Sequence, residues 1–220
     1  IKENLSKTKI VGYLHSYPSL PTHVIKNENS PHKLIINSMD QKFTLQKYLG
    51  WNLQDIEYKP SLRFLKNKKN SVMSGNIYLP YKINSVSKIS FNLQILFTYL
   101  NKNITKFKIK NHRNSLKSKK NLLLINKIKQ MKNQFKKVQT IKNASIFIGA
   151  TGAIVEALER NIDVYHISED PVFDFYNKLF WPNIKSKLIG KNIFKYSLKN
   201  KRKTILFGNN TKHASSYFKK

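Results

Sequence analysis

The sequence predicts an α/β protein with a doubly wound, mostly parallel, Rossmann-like sheet and helices on both faces. Short apolar runs of strand length alternate with longer stretches in which apolar residues recur at helical spacing. Between residues 72 and 168 the order of these segments is β-α-β-α-β-α-β, which is typical of a parallel sheet. The 220 residues are 40% hydrophobic and 12% aromatic, which is enough to build a core and excludes a disordered chain.

Short strands and one helix are expected in the first part of the chain. The strands are predicted from apolar runs at residues 9–13, 33–37 and 56–59. The helix is expected over residues 40–49, because Ser38 or Asp40 can cap its start and Gly50 follows its end. Residues 61–71 are basic and lack periodicity, so they are interpreted as a linker.

Four strands and three helices are expected in the middle of the chain. The strands are short apolar or alternating runs at residues 75–79, 106–110, 145–148 and 162–167. The first helix follows a cap at Ser85 or Ser87 and ends at Leu100, and the others cover residues 119–137 and 152–160. The predicted domains are the end of a preceding domain plus linker, a nucleotide-binding domain and a basic C-terminal tail, over residues 1–71, 72–195 and 196–220.

The formal net charge of +30 suggests an anionic partner. Only four of the 41 basic residues are Arg, and the Lys residues are spread along the chain rather than gathered in one segment. Because Lys, Asn and Ile share AT-rich codons, this excess is interpreted as codon bias that coats the surface and favours phosphates or acidic headgroups in general. The chain has no Cys, which excludes disulfides and thiolate metal sites.

The best candidate site is the small-residue turn Gly149-Ala150-Thr151-Gly152, between a predicted buried strand and a predicted helix. The two glycines would let a ligand approach the backbone, and the Thr151 hydroxyl and the free N–H groups of the helix start would bind an anion. In an open parallel sheet this turn lies at the carboxyl edge, where ligands bind. The alternative is structural, with Thr151 as a helix cap. The turn matches neither the dinucleotide nor the Walker pattern, so no cofactor is expected.

Other polar side chains follow predicted strands. Lys110, His112 and Arg113 come directly after the strand at 106–110 and would offer donors to a phosphate, with His112 able to protonate or stabilise a leaving phosphate. Glu156 in the helix after the turn would hold ribose hydroxyls, or else would pair with Arg160 four residues later.

Two further segments are candidates with structural alternatives. His15 opens a Pro-rich loop and would face the acceptor or the reacting carbon, unless it is simply an exposed loop residue. In the segment Glu169-Asp170-Pro171, Asp170 and the nearby Asp174 would contact sugar or base, unless the segment is a short helix whose Phe173 and Phe175 belong to the core. The sequence has no D-x-D pair and no histidines at ligand spacing, so no catalytic metal is predicted.

Several of these segments resemble the motifs of a known enzyme family. The run from Ala144 to Leu158, with its "EAL" helix, and the strand that follows resemble the donor-domain signature of GT-B glycosyltransferases. The segment 110–113 is similar to the K-x-H-P segment of bacterial sialyltransferase-like and capsule-type transferases, with Arg113 in place of Pro. The segments 12–16, 40–51 and 60–64 resemble bacterial surface-polysaccharide transferases.

The resemblance implies a metal-independent glycosyltransferase, or the donor-binding fragment of one, that moves a sugar from a nucleotide sugar to a polysaccharide or lipid-linked acceptor. Lys110, Arg113, Gly149, Thr151, Gly152 and Glu156 would then bind the donor, and His112 and His15 are the candidate catalytic residues. Residues 1–71 would be the remnant of an N-terminal, acceptor-side domain. No base is assigned.

The competing interpretations are a basic RNA- or DNA-binding protein and a non-catalytic Rossmann-like remnant. The first accounts for the charge, but none of the common nucleic-acid-binding motifs is present. Because no apolar run approaches the roughly 18 residues of a spanning helix, a cytoplasmic location is expected, with peripheral contact to an anionic membrane surface as an option.

Overall fold

The computed structural model describes residues 9–15, 24–66, 72–100, 107–112, 118–134, 143–199, 204–209 and 217. The strands are β1 (Val11–Tyr13), β2 (Lys33–Ile36), β3 (Ile56–Tyr58), β4 (Ser61–Leu65), β5 (Asn76–Tyr78), β6 (Lys108–Lys110), β7 (Ala144–Ile148), β8 (Asp163–Ile167), β9 (Ile184–Gly190), β10 (Ile193–Leu198) and β11 (Phe207–Gly208). The helices are α1 (Met39–Tyr48), α2 (Val86–Tyr99), α3 (Lys119–Gln134), α4 (Ala153–Glu159) and α5 (Pro171–Asp174), and a 3-10 turn covers Leu53–Asp55.

The prediction of a mixed α/β protein with a mostly parallel sheet is confirmed. The largest sheet has six strands in the order β6-β5-β7-β8-β10-β9. Its first four strands are parallel to one another, and β10 is antiparallel to both of its neighbours. The chain runs from β5 outward to β6 and then returns to β7 on the other side of β5, so the strand order reverses between β5 and β7.

The core of this part of the molecule lies on both faces of the six-stranded sheet. Along β7, Ile146 and Ile148 belong to a buried cluster with residues of α2 and α3, whereas Phe147 belongs to a second cluster with residues of α4. Since successive side chains of a strand point to opposite faces, the two clusters lie on opposite sides of the sheet. The start of α2 is fixed by Ser85, whose hydroxyl accepts a hydrogen bond from the Lys88 backbone N–H at 3.3 Å.

A smaller parallel sheet, in the order β1-β2-β3, packs with α1 around its own apolar cluster. Buried polar contacts join this unit to the segment that precedes β9. The Asp40 carboxylate of α1 accepts hydrogen bonds from the Asn183 backbone N–H at 3.1 Å and from its side-chain amide at 2.5 Å. The Thr44 hydroxyl lies 3.2 Å from the carbonyl oxygens of both Leu179 and Phe180.

Two regions differ from the sequence-based interpretation. Residues 61–65, interpreted as part of a linker, form β4, which pairs in parallel with β11. The expected boundary at residue 195 falls inside β10, and the buried Ile205, in the expected tail, belongs to the cluster that contains α4. Both segments are held because Phe64 and Ile205 are buried in the apolar cluster that contains residues of α4. Within the described ranges, no helix combines the length and the apolar character needed to cross a bilayer.

Candidate functional site

The carboxyl ends of four parallel strands bring the sequence-predicted segments together at one edge of the six-stranded sheet. The chain leaves β5 through Pro80 and Tyr81, and leaves β7 through Gly149. A Cβ atom built on Gly149 would lie 3.2 Å from the Pro80 Cβ atom. The ring of Tyr81 packs edge-on against His112, which follows β6, with 5.4 Å between ring centroids. Since the strand order reverses between β5 and β7, this edge is where an open α/β sheet binds ligands.

Gly149 is required at its position for two reasons. Its φ is +67°, in the left-handed region that other residues rarely adopt. In addition, a Cβ atom there would meet Pro80 on one side and, at 3.3 Å, the Oε2 atom of Glu169 on the other. The turn is therefore pressed between the end of β5 and the segment after β8.

The carbonyl of Gly149 is held by a buried histidine that no sequence motif indicates. His166 of β8 is fully buried, and its Nε2 lies 3.0 Å from the Gly149 carbonyl oxygen. Because a carbonyl can only accept, Nε2 carries the proton and Nδ1 is free to accept from the Tyr196 hydroxyl at 3.2 Å. Burial lowers the pKa of His166, an effect that the nearby Asp174 carboxylate and the Gly149 carbonyl oppose.

Asp174 belongs to this buried network rather than to the exposed surface of the carboxyl edge. It is 2% exposed, and one carboxylate oxygen accepts from the Ser168 hydroxyl. The other oxygen accepts from the backbone N–H groups of Glu169 at 3.0 Å and Asp170 at 3.4 Å. Both carboxylate oxygens of Asp174 therefore accept hydrogen bonds from the loop after β8. Asp174 positions that loop, in place of the expected direct contact with sugar or base. Asp170 itself is half-buried in that loop.

The Glu169 carboxylate lies at the carboxyl edge, against Gly149. Its Oε1 atom accepts from the backbone N–H groups of Asn84 at 2.9 Å and Ser85 at 3.4 Å, at the start of α2. Its Oε2 atom lies against Gly149 and accepts no hydrogen bond from the described residues. Burial raises the pKa of Glu169, while the two backbone N–H groups and Lys88 act to lower it. The sequence placed Glu169 in a candidate segment, but only the structure separates it from Asp170 and Asp174.

Cationic side chains surround this edge. The Lys88 ammonium lies 3.3 Å from the Glu169 carbonyl oxygen, and the Lys120 ammonium lies 3.0 Å from the Asn84 carbonyl oxygen. Lys110 ends β6 with an exposed side chain, and its carbonyl accepts from the Leu79 backbone N–H at 2.9 Å. His112 is also exposed. Arg113, the remaining member of this predicted group, lies outside the described residues.

Thr151 and Gly152, the rest of the turn, help to form the start of α4, as in the structural alternative to a ligand site. The Thr151 hydroxyl accepts from the Ala153 backbone N–H at 3.2 Å, and the Thr151 carbonyl accepts from the Tyr176 hydroxyl at 2.9 Å. Gly152 is buried and adopts an ordinary helical conformation, with φ −69° and ψ −9°, at the start of α4. The N-cap residue of α4 is therefore Gly152, and the Thr151 hydroxyl satisfies the first backbone N–H of the helix, while its hydrogen remains available as a donor.

Glu156 points into the protein. It is 4% exposed, and its Oε1 atom accepts from the Arg160 Nε atom at 3.2 Å and from the Val72 backbone N–H at 3.3 Å. This is the i, i+4 ion pair that was the expected alternative to a ribose contact. The structure therefore assigns the Glu156 carboxylate to the packing of α4 against the segment that leads into β5.

The two predicted catalytic histidines lie on different sheets. His15 is exposed after β1 of the smaller sheet, and its carbonyl accepts from the Arg63 Nη1 atom at 3.3 Å. Partial burial and the charge of Arg63 both lower the pKa of His15. His112 therefore belongs to the carboxyl edge of the six-stranded sheet, and His15 to the acceptor-side unit of the sequence-based interpretation.

In the part of the chain that the structure describes, no three His, Asp or Glu side chains come close enough together to hold a metal ion. No protein-family model, curated protein or solved structure matches the chain. The glycosyltransferase interpretation therefore rests on the motifs and on the geometry of the carboxyl edge.

Proposed function

We propose that the chain binds a nucleotide-sugar donor at the carboxyl edge between β5 and β7. It would act as a metal-independent glycosyltransferase of the doubly wound GT-B type, or as the donor-binding part of one. The acceptor would be a surface polysaccharide or a glycolipid. The observation that carries the proposal is the reversal of strand order between β5 and β7. At this edge the turn at 149–152 lies against Pro80 and Glu169, and Tyr81 packs against His112.

The charges at this edge favour a diphosphate. Lys88, Lys110 and Lys120 lie at this edge together with the imidazole of His112, and hydrogen bonds to phosphate oxygens from charged donors such as lysine are about twice as strong as neutral ones. In the proposed reaction the acceptor hydroxyl oxygen forms a bond to the anomeric carbon and releases its proton to solvent. The bond from that carbon to the phosphate oxygen breaks, and its electron pair stays on the leaving nucleotide. The lysines would stabilise the negative charge on the leaving nucleotide, and His112 would donate a hydrogen bond or a proton to it.

Glu169 supplies the complementary contact for hydroxyl groups. One of its oxygens is fixed by the backbone at the start of α2, so its second oxygen is held in place beside Gly149. A carboxylate oxygen held this way accepts well from a ribose or sugar hydroxyl. The proposed ligand therefore has phosphates toward the lysines and hydroxyls toward Glu169.

The experiment is a calorimetric titration of the full chain with CMP, CDP, UDP and GDP at about 150 mM salt, close to physiological ionic strength. We expect one nucleotide to bind at a 1:1 ratio and to bind about tenfold more weakly or worse in His112→Ala, which lacks the imidazole N–H donor. His32→Ala removes another exposed histidine, one that lies beside the smaller sheet, and should bind like the wild type. Absence of binding by all four nucleotides would overturn the proposal.

Glu169→Gln separates the two ends of the ligand. Nucleotide affinity should fall because the charged hydroxyl acceptor is lost, whereas pyrophosphate, which has no hydroxyl to offer, should bind no more weakly than to the wild type. Equal weakening of nucleotide and pyrophosphate would contradict the assigned orientation.

A second function is favoured by one observation, namely that the sequence from residue 58 to residue 155 contains no Asp or Glu. A chain of this kind attracts polyanions, and RNA or DNA binding is the alternative. It predicts a steep dependence of oligonucleotide affinity on salt and no effect of His112→Ala. Nucleotide binding that responds to His112→Ala, together with weak and sequence-independent oligonucleotide binding, favours the transferase.

A further inference from the structure

Helix α2 has apolar residues on its outer side as well as on the side that packs in the core. Its inner side carries Ile89, Leu93 and Leu96, each at most 1% exposed. On the outer side Phe91 and Tyr99 are 63% and 52% exposed. Ile95 lies between them in sequence, so the three residues form one stripe at i, i+4 and i+8.

The stripe continues onto the edge of the six-stranded sheet. Ile189 of the edge strand β9 lines the same groove as Phe91, Ile95 and Tyr99. The Ile95 Cγ2 atom lies 3.4 Å from the position that a Cβ atom on Gly190 would take. These four apolar residues, Phe91, Ile95, Tyr99 and Ile189, are called the α2–β9 surface.

Lysines lie next to the α2–β9 surface on the same side of the sheet. Lys187 of β9 is exposed and pairs in register with Lys195 of β10. The Lys195 ammonium lies over the ring of Tyr165, which belongs to the cluster beneath α2. Because directly paired residues of neighbouring strands point to the same side, Lys187 and Lys195 both face the side that carries α2.

Acidic residues are nearly absent from this side. The sequences of α2, α3, β9 and β10 contain no Asp or Glu. The carboxylate found beside the lysines is that of Asp163, which pairs with Lys195 at 3.4 Å. The α2–β9 surface is therefore an apolar strip in a positively charged surrounding.

We propose that the α2–β9 surface docks the protein on a bilayer rich in anionic lipids. Exposed aromatic and aliphatic side chains would enter the headgroup region, and the lysines would pair with lipid phosphates. A second copy of the chain fits less well, because two-fold pairing of β9 edges about Ser186 would bring Lys185 of each copy opposite Lys187 of the other. Single-stranded nucleic acid also fits less well, since Phe91 and Tyr99 are about 12 Å apart along the helix, too far to stack successive bases.

The test is sedimentation of the full chain with vesicles of phosphatidylglycerol and phosphatidylcholine in equal amounts, compared with pure phosphatidylcholine vesicles. The wild type should bind the mixed vesicles only. The double variant Phe91→Ser/Tyr99→Ser should bind them about tenfold more weakly or worse, since two apolar side chains no longer insert. Phe43→Ser changes an aromatic residue of α1 with 45% exposure and is the matched control, expected to bind like the wild type.

A charge variant keeps the test independent of the apolar stripe. Lys185→Glu/Lys187→Glu leaves the stripe intact and should also weaken binding to the mixed vesicles. Thermal melting of each variant checks that the fold is kept, as expected for exposed positions. Equal binding of wild type and Phe91→Ser/Tyr99→Ser would overturn the proposal, because the lysine coat alone would then account for binding. The proposal would also be overturned if Phe91→Ser/Tyr99→Ser lost its binding to single-stranded oligonucleotides but still bound the vesicles.

Discussion

The imidazole Nε2 atom of His166 lies 3.0 Å from the carbonyl oxygen of Gly149, in a fully buried position. This bond joins β8 to the turn after β7. Through its other nitrogen, the same ring connects that turn to Tyr196 of β10. The conformation of the candidate site is thus fixed from below by a neutral histidine, which itself makes no contact with solvent.

Stability should fall at acidic pH because of His166. Its pKa is lowered in the folded protein, so below pH 6.5, its ordinary pKa, the unfolded chain binds the proton more readily than the native one. The contribution of His166 is therefore complete above that pH and is lost as the pH falls toward the lowered pKa, at up to about 1.4 kcal/mol per pH unit. Urea unfolding of wild type and His166→Gln between pH 7.5 and about 5 measures this.

The difference in pH dependence between wild type and His166→Gln reports the contribution of the histidine. Both proteins keep the same carboxylates, including Asp174, whose Oδ2 atom lies 4.0 Å from His166 Nε2 in the wild type. His166→Gln should be less stable at pH 7.5 and should show a shallower slope. Parallel slopes would mean that His166 does not resist protonation in the folded state.

Gly149→Ala should abolish nucleotide binding, whereas Gly75→Ala should not. Both glycines have positive φ, so each substitution costs about 1–2 kcal/mol in backbone strain. The new Cβ atom meets Pro80 and Glu169 at position 149 but has nothing within 4 Å at position 75. Calorimetry with the nucleotide that binds best, alongside thermal melting, separates loss of the site from loss of stability. Equal affinities of the two variants would show that the packing of Gly149 does not matter for the ligand.

Glu156→Gln should lower stability by about 1–3 kcal/mol and leave nucleotide affinity unchanged. The cost arises because the charged acceptor for the Arg160 side chain and the Val72 backbone N–H is weakened in a buried setting. Glu57→Gln is the control, since Glu57 pairs with Lys33 and Lys59 at the surface and should contribute about 1 kcal/mol or less. Chemical denaturation and calorimetry give the two quantities. A drop in affinity with Glu156→Gln would restore the ribose contact expected from the sequence.

Asp40→Ala should destabilise the protein by about 2–3 kcal/mol, because two donors of Asn183 lose their buried acceptor. Asp55→Ala removes a partly exposed partner of Lys26 and should cost about 1 kcal/mol or less. Denaturant unfolding followed by tryptophan fluorescence suits this test, since Trp51 is buried in the cluster of the smaller sheet and Trp181 in a cluster beside the larger one. Similar losses in the two variants would mean that the Asp40 contact does not hold the sheets together.

The sequence predicts the elements whose side chains repeat at one period over a long stretch. Helix α2 is an example, because its buried residues recur at helical spacing and Ser85 caps it, one of the two expected caps. The β9–β10 hairpin was not predicted, since β9 is an edge strand whose residues 185–188 are exposed and carry no alternating pattern. Its turn does hold a signal, as Asn192 adopts a φ of +62°, which asparagine tolerates well.

At the candidate site, the sequence locates segments better than side chains. The turn at 149–152 and the segment 110–112 both follow parallel strands, so their meeting at one edge follows from topology. The roles of Glu169 and Asp174 do not, because they depend on which of several nearby carboxylates turns outward. His166 lies in an apolar strand and looks like any core residue until its distance to Gly149 is known.

The pairing of β5 with β7 also determines when the site can form. The backbone N–H of Asn76 and the hydroxyl of Ser145 make a hydrogen bond across 69 residues of chain. Contacts of such long range have to overcome a large loop-closure entropy and are typical of slow steps in folding. The carboxyl edge between β5 and β7 therefore forms only when this long loop has closed. A ligand bound there would slow unfolding and leave the folding rate unchanged.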